Sequence, residues 1–85
     1  MRHGWTSLYH HVRVMNVQID LICKSPTGLL SVIEVKGQNR SAMARIATTQ
    51  KLRLLRVCAF LAQWEPVDLQ MALVKGAKVI LLDLN

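Results

Sequence analysis

Apolar residues along this chain recur with two different periods. Residues 8–15 mix tyrosine, valine, histidine and arginine in alternation, which reads as a first strand. Asn16 marks a short turn, and residues 17–24 form a second strand. Ser25-Pro26-Thr27-Gly28 is turn chemistry, because proline presets one dihedral and glycine supplies a positive φ. Residues 29–36 read as a third strand, so strands two and three are expected to form an antiparallel hairpin. Gly37-Gln38-Asn39-Arg40-Ser41 is a polar loop, and residues 42–47 are either loop or a helical lead-in. The period then changes. Thr48 or Thr49 is the expected N-cap of a helix running to about Trp64, with Leu52, Leu55, Ala59 and Ala62 as its core stripe. Glu65-Pro66 ends it, since a residue before proline resists helical geometry. Residues 67–74 and 78–84 are two more strands around a tight turn. The expected order is β-β-β-α-β-β in one α/β domain spanning residues 1–85.

The bulk composition narrows the partners. The chain has 85 residues, 52% of them hydrophobic, and a formal charge of +6. That length supports a single modest core, and the positive charge points to a polyanion such as DNA. Cys23 and Cys58 lie in apolar runs without metal-ligand spacing and read as core residues in a reducing compartment. No apolar run is long enough for a membrane span. The first five residues lack the apolar segment of a signal peptide, so the cytoplasm is the expected compartment.

Chemistry concentrates in three residues. Only five residues are acidic, and two of them, Asp20 and Glu34, interrupt runs that would otherwise be buried strand. Carboxylates avoid such places unless paired or bound to a metal. Glu34 and Lys36 are two apart and share a strand face. A hairpin centred on Thr27 puts Lys24 opposite Leu30, Asp20 opposite Glu34, and Gln18 opposite Lys36. A slip of one residue would send the two acids to opposite faces. Facing carboxylates repel, and they respond by sharing a proton or by holding a cation. Oxygen donors with open positions suit Mg²⁺ or Mn²⁺, which can polarise a phosphoryl oxygen and activate water. A neighbouring lysine would position that water or offset charge on phosphorus. The plainer alternative is a cross-strand Lys–Glu pair with an aspartate near a turn.

Asp20, a gap of one hairpin, and then Glu34-Val35-Lys36 resemble the D…ExK core of the PD-(D/E)xK nuclease superfamily. Residues 17–22, 32–36 and 50–54 look like a small bacterial family of Holliday-junction-resolvase-like endonucleases, over roughly residues 5 to 84. The resemblance implies a restriction-endonuclease-like fold with a mixed central sheet. It implies that Asp20, Glu34 and the Val35 carbonyl hold Mg²⁺ or Mn²⁺, that Lys36 acts on the attacking water, and that Gln50 orients water or phosphate. It makes Arg40, Arg45, Lys51, Arg53 and Arg56 the candidates for contact with the DNA backbone. It also implies a metal-dependent DNA endonuclease acting on branched or duplex DNA, and a homodimer is expected because two-fold assemblies are the commonest and such DNA presents two strands to cut.

Two features depart from that pattern. Relatives carry an acid two residues before the aspartate, where this chain has Gln18, and they begin with a helix, where this chain begins almost at once with a strand. The rival readings are therefore a catalytically degraded nuclease-fold protein that binds nucleic acid, and an oligomeric interaction module. Other features carry less. His10 and His11 are adjacent and point to opposite faces of a strand, so phosphate contact or simple exposure is expected of them. Trp5 and Tyr9 are expected to pack on the sheet, and Trp64 to plug the core at the helix end.

Overall fold

A computed structural model describes residues 4–37 and 48–84. The elements follow as β1 (Thr6–Val14), β2 (Val17–Lys24), β3 (Leu30–Gly37), α1 (Thr48–Leu61), β4 (Val67–Lys75) and β5 (Lys78–Asp83). The five strands form one mixed sheet in sequential order. β1, β2 and β3 form an antiparallel meander, β4 and β5 an antiparallel hairpin, and β3 and β4 run parallel. A parallel pair cannot be joined by a tight turn, so the chain crosses between them through the segment that contains α1.

Each turn has a local cause. Met15 and Asn16 both have positive φ, 52° and 63°, as a two-residue type I′ hairpin requires. Gly28 takes φ 88° at the end of the Ser25 turn, where its amide donates to the Ser25 carbonyl at 2.9 Å and the Leu29 amide donates to Ser25 Oγ at 3.0 Å. Gly76 takes φ 58° at the first position of the β4–β5 turn, the place where a type II′ turn needs glycine.

The helix packs on one face of the sheet. Ile22, Leu30, Val32 and Leu69 form the main core with Leu54, Val57 and Cys58 of α1. A smaller cluster of Cys23, Ile33 and Ala72 lies on the opposite face under Trp5 and Leu21. The side chain of Trp5 therefore packs as expected, whereas Tyr9 is exposed. β3 lies between β2 and β4, and its first five residues are all buried, as is usual for a strand covered on both sides.

The helix differs from the expectation in phase and length. Leu52, Ala59 and Ala62 are exposed, and of the expected stripe Leu55 alone is packed against the core. Leu54, Val57, Cys58 and Leu61 form the seam instead, a set with the same i, i+3, i+4, i+7 spacing. Apolar residues occupy several sides of this helix, so spacing alone allows more than one phase and the sheet selects one. The helix ends at Leu61, where the Gln63 and Trp64 amides fold back to the Phe60 and Leu61 carbonyls in a tightened last turn. Trp64 is consequently 68% exposed, stacked edge-on against Phe60 with ring centroids 5.1 Å apart, and is no core plug. No helix among the described residues is long and apolar enough to cross a membrane.

Candidate functional site

The hairpin register brings the two acids together. β2 and β3 pair from Lys24↔Leu30 to Leu21↔Ile33, the expected alignment, and its next step sets Asp20 beside Glu34. Strand alternation breaks just there. Ile19 and Ile22 pack into the same core although three residues apart, so the backbone changes facing between them, at Asp20. His11, which stands across from Asp20 on β1, has φ 48°. Irregularities of this kind re-aim side chains near sites. Here Asp20 turns toward β3 and its Oδ2 accepts the Val35 amide at 2.9 Å.

Glu34 is the buried charged residue of the central strand, at 6% exposure. Burial, the hydrogen bond to Asp20 and the Asp20 charge push its carboxyl up to about 7, against the pull of Lys36. Burial acts on Asp20 in the same sense. The hydrogen bonds from Glu34 and the Val35 amide, with the charges of His11 and Lys36, outweigh it and hold Asp20 below the ordinary aspartate range. Below about pH 7 the pair thus carries one proton, on Glu34, donated to the Asp20 carboxylate. The first turn of α1 adds Gln50, whose Nε2 donates to Glu34 Oε2 at 3.1 Å. Asp20, Glu34, Lys36 and Gln50 therefore converge. Val35 joins through its amide, which donates to Asp20, whereas the carbonyl expected as a ligand belongs to the next peptide unit, between Val35 and Lys36.

The donor set suits a hard divalent cation. Among the described residues no group of three or more histidine, cysteine or acidic side chains gathers, so the pair supplies two carboxylates. Magnesium is commonly bound by one or two carboxylates, with waters and phosphate oxygens completing the shell. A buried carboxyl raised by a neighbouring carboxylate marks a place that favours positive charge.

A groove of about 500 Å³ runs beside this cluster between α1 and the β1–β2 hairpin. Gln18, Gln50, Arg13, Arg53 and Arg56 line it. Gln50 belongs to both, lining the groove and donating to Glu34, whereas Asp20 and Glu34 are not among the lining residues. Arg53 and Arg56 line the groove, and Lys51 is half-buried on the same helix. Arg40 and Arg45 lie outside the described residues. Gln18 sits in the groove wall, whereas the paired ladder described for β2 and β3 does not extend to an opposition with Lys36.

Two neighbours escape a reading by linear spacing. Arg13 enters the groove from β1, with Nη1 donating to the Asn16 carbonyl at 3.3 Å across the turn. Its signal is its place two residues before a tight hairpin. His11 bears on Asp20 through the β1–β2 register. Set against protein-family profiles and against curated proteins, the chain matches none.

Proposed function

We propose that this protein is a metal-dependent DNA endonuclease with a restriction-endonuclease-like core, hydrolysing phosphodiesters at Asp20 and Glu34. One observation carries the reading: Asp20 and the buried Glu34 stand together, and Gln50, bonded to Glu34, lines a neighbouring groove with three arginines. Asp20 and Glu34 would hold Mg²⁺ or Mn²⁺, which when bound supplies Lewis acidity toward a phosphoryl oxygen and toward water. The chain's own residues do the rest. Arg13, Arg53 and Arg56 take backbone phosphates and align the strand. Gln50, fixed on Glu34, orients the water or the scissile phosphate. The Lys36 ammonium, on the same strand face as Glu34, offsets negative charge as water attacks phosphorus and the leaving oxygen departs. The Val35 amide pins Asp20, so one carboxylate is placed before substrate arrives.

A non-catalytic DNA-binding role is the second reading, favoured by the two-carboxylate donor set and by neutral Gln18 in the groove wall. Cleavage assays on duplex, flap, single-stranded and four-way DNA with Mg²⁺ or Mn²⁺ separate the two. The endonuclease reading expects cutting that Asp20→Asn, Glu34→Gln and Lys36→Ala each abolish, with DNA affinity largely kept. Metal-independent binding without cutting on any of these substrates would favour the second reading.

A further inference from the structure

Among the described residues Trp64 is the most exposed of the large apolar side chains, and neither core cluster contains it. Its place is nevertheless fixed. Its amide donates to the Leu61 carbonyl at 3.1 Å, its ring meets Phe60 edge to face, and the next residue, Glu65, is paired with Lys24 of β2. The Pro66 carbonyl then accepts the Leu30 amide at 3.3 Å. An exposed indole anchored on both sides gives up little freedom when it meets a ligand.

The helix joins this aromatic pair to the groove. Gln50, Arg53, Val57, Phe60 and Trp64 follow one another at intervals of three, four, three and four residues, the spacing that keeps side chains on one stripe of a helix. The first three line the groove, and Arg56 joins them there. Phe60 and Trp64 carry the stripe beyond it, and their ring contact keeps Trp64 in line although α1 ends at Leu61. From Gln50 to Trp64 the sequence holds Lys51, Arg53 and Arg56 and no acidic residue. Glu65 follows directly, and its pairing with Lys24 offsets a charge that would repel phosphate.

Arginine takes phosphate, whereas an aromatic ring takes the face of a base. In a duplex those faces are already covered by neighbouring bases, so a ring on a convex helix surface finds one where the strand is unpaired. We infer that the DNA bound in the groove carries a single-stranded segment, with its phosphates on Arg53 and Arg56 and an unstacked base on Trp64, backed by Phe60. Gln50 and Phe60 are roughly 15 Å apart along the helix axis, room for about four nucleotides at the roughly 3.4 Å step of a stacked strand. Because Gln50 is bonded to Glu34, the stacked base lies a few nucleotides from the carboxylates. Stacking accepts any base, so little sequence preference is expected. The inference rests on the DNA-binding part of the proposed function and is independent of cleavage.

Titration with a short oligothymidylate and with a duplex of equal length, without added metal, is the experiment. Anisotropy of a labelled strand reports affinity, and tryptophan emission reports stacking. The chain has two tryptophans, and Trp5 packs on the opposite face of the sheet. The single strand should therefore quench Trp64. Trp64→Ala should weaken single-strand binding by at least about fivefold, with duplex affinity and circular dichroism unchanged. Trp64→Phe should keep most of the affinity and lose the quenching. Should Trp64→Ala fail to fold, Trp64→Phe alone decides. Single-strand affinity indifferent to Trp64→Ala, or quenching that survives in Trp64→Phe, would overturn the inference and leave the aromatic pair to a protein partner. Duplex binding with metal-dependent cutting would then still uphold the nuclease reading, whereas binding of neither form of DNA would overturn both.

Discussion

A carboxyl group that titrates near neutrality ties residue chemistry to measurable stability. Glu34 is raised from its usual 4.5 to about 7 in the fold. The folded state therefore holds this proton more tightly than the unfolded chain does. Its stabilising contribution is full below about pH 4.5 and is lost as pH rises through about 7. The loss amounts to roughly 3 kcal/mol. Glu34→Gln cannot ionise, and its amide can still donate to Asp20. Thermal unfolding of wild type minus variant should fall between pH 5 and 8, with the variant the more stable at the alkaline end. A difference that stays flat over that range would show that Glu34 does not share its proton. This much of the site was legible beforehand, because acids are rare in the chain and strand alternation has a period of two. Burial of Glu34 followed from its place in an apolar run. The turn of Asp20 toward the Val35 amide did not, since it depends on a break in alternation beside His11 that no spacing rule reports.

At the scale of elements, glycine, proline and asparagine placed the strands and turns closely, and β2 falls on the expected residues. The helix phase was not legible. Leu52 and Leu54 are equally apolar, and only the sheet's shape distinguishes them. The groove was likewise hidden, since Arg13 and Arg53 are far apart in sequence and meet through packing. The β1–β2 turn retains a local conflict. Met15 adopts φ 52°, which costs a side-chain-bearing residue about 1 kcal/mol or more, and it is largely exposed, so little packing compensates. Met15→Asn suits a type I′ turn better. The melting temperature should rise by about 4–8 °C. An unchanged or lowered midpoint would mean that Met15 contributes packing that offsets its backbone strain.

The whole molecule presents a charge of +6, and the groove gives part of that charge a direction. Binding to duplex DNA should weaken steeply with salt, and Arg13→Ala, Arg53→Ala and Arg56→Ala should each reduce the logarithmic slope by about 0.9. Lys78→Ala, on the far edge of the sheet, should leave the slope unchanged. Equal effects from all four positions would reduce the groove to a share of diffuse charge. What joins groove, sheet and carboxylates is the claim that Asp20 and Glu34 hold either one proton or one divalent cation. Calorimetric titration of Mn²⁺ near pH 6 in buffers of different ionisation enthalpy tests it directly. Uptake of one ion should release close to one proton, tighten as pH rises past about 7, and vanish in Asp20→Asn. Binding without proton release, or with affinity undiminished in Asp20→Asn, would place the ion elsewhere and contradict the account.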